Sequence, residues 1–490
     1  MKNYKILFLS CLLLLFTASC NDWLYLEPST SIVDKGESVK LLSDANARLM
    51  GTYDAMRNYY YYGARMTFYG DATSEDMMAQ SNTKRVASYY TFSFNESNAP
   101  STFWSQCYKI ISYTNLILES IDKLKDQQGV DMALWADYKG QALAIRAMAY
   151  FDLTRLYGYP YTKDQGKSLG VAIVDKPVFP DYKPARNTVA ECYTFVLKDL
   201  NEAINLLPVT KNNGRFNKWA AMSLLSRVYL YQGDNANALK FAKEAITGAE
   251  GNAYKLWTNA EYKSAWAGEF GNEVLFELQF TTTENQGNDA IGYLVSPRGY
   301  DDILLSDDWT IKLMGNETND IRYQSVIDNT AYNSKSGRRY MWKYPVNSGE
   351  SSTTYYLGNV KVLRLSETYL IAAEAAAKSG NNEDAVKYLD AIVKRGDPNQ
   401  TVVGATVTLD RVLEERRKEL VGEGHRFFDA IRNGKTITRS KDLAFPHLPT
   451  IQPEAWSFNW DYYKVVLPIP IAEINANENM KDQQNPGYKL

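Results

Sequence analysis

The sequence predicts a mainly α-helical protein: a scaffold of stacked helical hairpins from which long loops and short strands project. Three observations predict it. Through most of the chain, apolar residues recur every three or four positions, the spacing that gathers one stripe on an α-helix. One hairpin pattern is written twice, because aligning Gly233 with Gly380 pairs Leu224 with Ile371, Ala238 with Ala385, Leu239 with Val386, Phe241 with Tyr388 and Ile246 with Val393. Between the hairpins lie segments rich in Gly, Asn, Ser and Thr, a composition suited to loops.

At the N-terminus, Lys2 and Lys5 precede an apolar run from Ile6 to Phe16 that is too short to span a bilayer and has the layout of a secretory signal. Thr17, Ala18, Ser19 and Cys20 follow. They resemble the end of a bacterial lipoprotein signal, although Thr17 stands where such signals usually carry leucine. The expectation is a signal peptide over 1–19, diacylglyceryl attachment at Cys20 and a single domain over 20–490. With leader and anchor set aside, Cys107 and Cys192 remain, and they form no disulfide framework.

The first hairpin copy is weak. "ALAIRAMAYFDLTRLYG" supplies one helix, with Gly158 in the turn position, and "VAECYTFVLKDLNEAINLLP" a delayed second. "SLLSRVYLYQGDNANALKFAKEAI" is a clear copy around Gly233. In the last, Val362, Leu365, Tyr369, Ala373 and Ala376 form the stripe, Glu374 and Lys378 lie four apart in the favourable order, and Gly380 ends the helix. Asn381 or Asn382 caps the next helix, whose stripe is Ala385, Val386, Leu389, Ile392 and Val393. Small residues where helices touch and a glycine in the tight turn are tetratricopeptide-like features. Such hairpins bury their faces by stacking. Two insertions, about 70–92 and 271–359, carry aromatic residues on polar loops, with strand-like runs "EVLFELQF" and "RRYMWKYPV" in the second.

Composition excludes several functions. Lysine plus arginine (54) nearly balance aspartate plus glutamate (57), which removes the electrostatic case for nucleic acid. Only two histidines occur, His425 and His447, and no cysteine pair has ligand spacing, so no metal site is expected. Gly434-Lys435-Thr436 is no phosphate loop, because Asp429 stands where the first glycine is required; Tyr161 disqualifies Gly166-Lys167-Ser168 in the same way. Around His425, the alternation of Arg416, Arg417, Glu419, Glu423, Arg426, Asp429 and Arg432 suggests an elbow cross-linked by arginine–carboxylate pairs rather than a general base.

The string "EERRKELVGEGHRFFDAIRNGK" resembles the signature of the SusD/RagB family of surface lipoproteins. "AYFDLTRLYGYPY", "VLRLSETYLIAAEA" and "LPIPIAEINANENMKDQQNPGY" match other parts of that family in order, and "CNDWLYLEPST" is similar to its mature N-terminus. The resemblance implies a SusD-like α-α superhelix with four tetratricopeptide-like hairpins. It also implies an outer-membrane, lipid-anchored, outward-facing protein without cofactor that binds oligosaccharide and passes it to a TonB-dependent, SusC-like transporter without catalysis. Capture of peptide is the first alternative, and a surface glycoside hydrolase using carboxylates such as Asp71, Glu75 and Asp76 the second. Family ligand contacts come from the loop near the first helices and from the irregular middle region. The matching segments nominate Gln80, Asn82, Tyr89 and Tyr90, and Tyr300, Trp309, Tyr340 and Trp342, with the Tyr59–Tyr62 run as a further candidate.

Overall fold

The computed structural model describes residues 39–178, 181–316, 319–327, 338–345 and 357–489. The expected signal peptide over 1–19, the expected lipid-attachment residue Cys20 and part of the 271–359 insertion lie outside them. The described helices build four hairpins: α1 (Leu42–Met56) with α2 (Thr102–Leu124), α3 (Met132–Tyr157) with α4 (Val189–Leu206), α5 (Lys218–Gln232) with α6 (Asn235–Glu250), and α7 (Leu365–Lys378) with α8 (Asn382–Gly396). Each hairpin packs on the next through α2 and α3, α4 and α5, and α6 and α7. The tetratricopeptide-like stack is therefore present, with the first insertion looping out between α1 and α2.

The turns explain why the pattern is legible. Gly233 and Gly380 take left-handed φ values of 85° and 73°, which cost a residue with a side chain energy and glycine none. The next residue in each copy caps the following helix: Asp234 accepts from the Asn237 N–H at 3.0 Å, and Asn381 from the Asp384 N–H at 3.1 Å. Gly158 differs. Its backbone is extended (φ −119°), and its role is close approach, since a Cβ there would lie 2.8 Å from Val189 Cγ2 and 3.2 Å from the Gly170 Cα.

A second correction concerns Val362. It belongs not to the helix stripe but to β4 (Val360–Arg364), which pairs antiparallel with β2 (Val274–Leu278), placing Leu278 opposite Val360 and Val274 opposite Arg364. The β-branched Val360 and Val362 suit a buried strand, and α7 starts only at Leu365. "EVLFELQF" thus holds a strand, whereas among the described residues of "RRYMWKYPV" Arg339 and Met341 make isolated bridges, to Leu305 and Ile327. β1 (Met77–Ala79) pairs with β3 (Ile303–Leu305), joining the two insertions.

The charged elbow links α9 (Leu409–Leu420) to α10 (Arg426–Arg432) through Gly422 and Gly424, both left-handed. Within it Arg416 and Arg432 each hold Asp429 at 2.7 Å. Most of the pairing reaches outward instead, which the sequence did not suggest. Arg426 binds Glu75 at 2.6 Å, Arg417 binds Asp76, Arg432 binds Glu374 at 2.5 Å, and Glu419 and Glu423 meet Arg364 at 3.0 and 2.7 Å. The elbow is a hub clamping the α7–α8 hairpin to the first insertion. His425 is buried in it, 3.7 Å from Glu367; desolvation, outweighing that carboxylate, lowers its pKa to about 4 and keeps the ring neutral near pH 7.

Gly424 shows how tight the hub is. A Cβ would lie 2.5 Å from the Met66 carbonyl oxygen, and φ is +81°. Gly424→Ala should therefore cost on the order of 2–4 kcal/mol in urea unfolding. Gly51→Ala, in α1 with nothing within 4 Å of its would-be Cβ, should instead gain roughly 0.5–1 kcal/mol.

Candidate functional site

The β1–β3 pair sets the site. Immediately after β1 come Gln80, Asn82, Lys84 and Arg85; immediately before β3 come Tyr293, Tyr300, Asp301 and Asp302. The Gln80 N–H donates to the Asp302 carbonyl at 3.2 Å, extending the ladder by one rung. Tyr300 is presented by a tight turn in which its N–H donates to the Tyr293 carbonyl at 3.0 Å. Only glycine fits before it, because a Cβ at Gly299 would lie 2.0 Å from that same carbonyl oxygen.

The two segments then interlock through side chains. The Arg85 guanidinium lies 4.0 Å over the Tyr300 ring and pairs with Asp302 at 3.3 Å and Asp289 at 3.2 Å. Lys84 donates to the Tyr300 carbonyl, and Tyr293 meets the Tyr300 ring edge-on at 5.0 Å. Arg338 pairs with Asp301 at 3.2 Å, and with the Gln80 amide oriented so that its oxygen faces the guanidinium, it binds Gln80 as well. The turn after α1 adds Tyr59 and Tyr60, with Arg65 over their rings at 5.2 and 4.9 Å. Its Tyr59 N–H donates to Gln286 at 3.1 Å, fastening this turn to the loop that carries Asp289. Tyr60 is 39% exposed and Tyr300 37%; among the described residues Tyr182 is another ring as open.

Asp301 is the titrating group of the site. Burial pushes its carboxyl up to about 6, partly offset by Arg338 and Lys84 and reinforced by Asp302. The Asp301–Arg338 pair is therefore formed above pH 6 and lost as pH falls below it. The Gln80 side-chain amide, which Arg338 holds, should titrate with a midpoint near pH 6 by NMR, and Asp301→Asn should abolish that transition.

The eight nominated residues divide. Gln80 and Tyr300 are joined across the β1–β3 pair, and Asn82, exposed two residues beyond Gln80, accepts from the Thr450 hydroxyl. Trp342 is half-buried, its N–H donating to the Val326 carbonyl at 2.7 Å. Tyr89, Tyr90, Trp309 and Tyr340 are buried, which corrects their nomination as exposed stacking rings. Trp309 points its indole N–H at the Arg417 carbonyl at 3.0 Å, and Tyr89 packs on Phe68 and Tyr69. Tyr90 donates to His447 Nδ1 at 2.7 Å while accepting from the Leu448 N–H at 3.2 Å, and His447 Nε2–H donates to Asp308 at 2.9 Å. These buried groups brace the wall behind the site. Tyr61 and Tyr62 are buried as well and Tyr59 is half-buried, leaving Tyr60 as the exposed ring of that run.

Sequence reasoning missed Lys84, Arg85, Arg65, Tyr293, Asp301 and Asp302. The adjacent Lys84-Arg85 pair in a polar loop and the Gly299-Tyr300-Asp301-Asp302 turn were the only signals available. The carboxylates Asp71, Glu75 and Asp76 are buried away from this surface: Asp71 accepts from the Gly424 N–H at 2.6 Å, and the other two are held by Arg426 and Arg417. Among the described residues no group of three or more His, Cys, Asp or Glu is placed to hold a metal ion, and no helix is long and apolar enough to cross a membrane.

Comparison with known proteins agrees with this architecture. Residues 23–230 match a SusD-like family described as "Starch-binding associating with outer membrane". A crystal structure of a Bacteroides vulgatus protein described as sugar-binding shares 47% identity and a TM-score of 0.86, covering 92% of this chain and 100% of that one. A SusD superfamily protein, also from Bacteroides vulgatus, shares 37% identity and a TM-score of 0.85 with the same coverage of both chains. The starch-binding protein SusD of Bacteroides thetaiotaomicron is 24% identical over 78% of this chain and 77% of its own. With the hairpin stack, the elbow and near-complete overlap at 47% and 37% identity in agreement, the chain belongs to the SusD family.

Proposed function

We propose that this protein is a non-catalytic oligosaccharide receptor, lipid-anchored through Cys20 on the outer face of the outer membrane, that hands its ligand to a SusC-like TonB-dependent transporter. The observation that carries the reading is the surface where Tyr60 and Tyr300 stand exposed among Gln80, Asn82 and Arg85. Sugars offer patches of C–H between hydroxyls, and such ligands are held by flat rings for stacking and a few amide or guanidinium groups for orientation. Rings with two side-chain torsions lose little entropy on binding. The family's description and its starch-binding relative support carbohydrate as the ligand class.

The placement of the carboxylates considered for hydrolysis supports a non-catalytic role. Glu75 and Asp76 are held by Arg426 and Arg417, and Asp71 accepts from the Gly424 backbone amide, all beneath the surface. Glycoside hydrolysis needs two carboxyls facing each other about 5–9.5 Å apart across the ligand. Calorimetric titration against soluble oligosaccharides of glucan, xylan, mannan, pectic and mucin type should give saturable binding with micromolar to millimolar dissociation constants, a range of about 4–8 kcal/mol. Long incubation should release no new reducing ends. Binding to peptides alone, or release of reducing ends, would overturn the reading. Detergent pull-down of an untagged barrel by tagged protein, lost on Cys20→Ala with the protein released from membranes, tests partner and anchor together.

A further inference from the structure

Next to the Tyr60–Tyr300 surface, on the other side of the turn that carries Tyr59, lies an open cleft of about 460 Å³ between the end of α1, the loop before α5 and the end of β2. Its apolar lining is the buried Leu278 and the ring of Tyr53, with the exposed Met50 at the edge; the Tyr53 hydroxyl turns inward, donating to Gln141 and accepting from the Phe216 N–H at 3.1 Å. Its rim is polar and fixed. Arg57 donates to the Gln279 carbonyl at 3.0 Å, to Glu284 at 2.8 Å and to Asp54 at 2.9 Å, and Arg215 donates to Asn46 at 2.8 Å. Asp54 and Glu284 keep most of their side-chain surface open.

We infer that this cleft is a second saccharide subsite, holding one or two neutral pyranose units of the same chain that lies on Tyr60 and Tyr300. It rests on the carbohydrate reading above and extends it to chain length. The volume lies in the range of small-ligand pockets. Two guanidinium and two carboxylate groups line the cleft, so its formal charge sums to zero, which suits a neutral ligand. Carboxylates with open lone pairs and pre-organised N–H donors around an apolar floor match the alternation of hydroxyl edge and C–H face on a pyranose. The two sites share their supports: Arg57 and Tyr60 are three residues apart on one turn, and Glu284 and Gln286 share the loop to which that turn is fastened. A linear oligosaccharide spanning both sites gains affinity by linkage.

The test is a length series, two to eight units, of each oligosaccharide type above, titrated against the wild type, the Asp54→Ala/Glu284→Ala double variant and Tyr300→Ala. The inference expects wild-type affinity to rise tenfold or more from the shortest binder to one that fills both sites. The double variant should flatten that rise while leaving the shortest binder unchanged, and Tyr300→Ala should weaken every length. The ¹³C-methyl resonance of Met50 should shift with long chains only. A wild-type affinity independent of length, or a double variant with unchanged length dependence and a still Met50 methyl, overturns the subsite and leaves the carbohydrate reading standing. Failure of every sugar at every length overturns both.

Discussion

Glu374→Ala is expected to cost about 3–5 kcal/mol of folding free energy, the range for removing one partner of a buried ion pair. Glu374 is fully buried on α7 and receives Arg432 through two hydrogen bonds of 2.5 and 2.6 Å, with Lys378 at 3.1 Å and Asn433 at 3.1 Å. Desolvation disfavours its charge, but Arg432 and then Lys378 outweigh it and hold the carboxyl well below the usual range. Truncation would leave Arg432 with only Asp429, and Asp429 is already shared with Arg416. Uncompensated positive charge in the interior is what makes the loss large. At an exposed pair the same operation is mild: Lys435→Ala, which frees Asp410, should change stability by less than about 1 kcal/mol. Urea unfolding of both variants checks the contrast, and equal midpoints would contradict the hub.

Tyr300→Ala should weaken oligosaccharide binding roughly tenfold, about 1.4 kcal/mol, with little loss of stability. The ring stands at the site with Arg85 against one face and Tyr293 at its edge, so truncation removes the stacking surface and releases the guanidinium that it positions. Tyr300→Phe retains the face and should bind like the wild type. A phenylalanine variant as weak as the alanine one would assign the effect to the hydroxyl instead. Tyr60→Ala should act in the same direction, and Trp309→Ala in a different one. Trp309 fills the core behind β3, so its loss should lower stability by about 3–5 kcal/mol before it changes affinity.

The scaffold was legible because its determinants are local. Gly233 with Asp234, and Gly380 with Asn381, end one helix and cap the next within two residues, and the repeat distance between them exposed the hairpin. The start of α7 was misread because Val362 continues a helical spacing by chance, and only pairing with Val274–Leu278, nearly 90 residues away in sequence, makes it a strand. The elbow was recognised as structural, but its partners Glu75, Asp76, Arg364 and Glu374 lie far off in the chain, where no spacing rule reaches. In the candidate site, composition named Tyr300 and the Tyr59–Tyr62 run but could not separate the exposed rings from the buried Tyr89, Tyr90, Trp309 and Tyr340. Tyr90 and Trp309 carry the same loop-like sequence context as Tyr300, yet a histidine, a carbonyl and a packed core claim the first two. Which aromatic stays in solvent was decided by the β1–β3 register and by the Gly299 turn, both tertiary features.

The most direct measurement is a crystal structure of the protein with a bound oligosaccharide from the titration panel. The account predicts a pyranose face against Tyr300 or Tyr60, with hydroxyls within hydrogen-bond reach of Gln80, Asn82 or Arg85. Sugar density elsewhere, with both tyrosine rings and Arg85 in contact only with solvent, would contradict it.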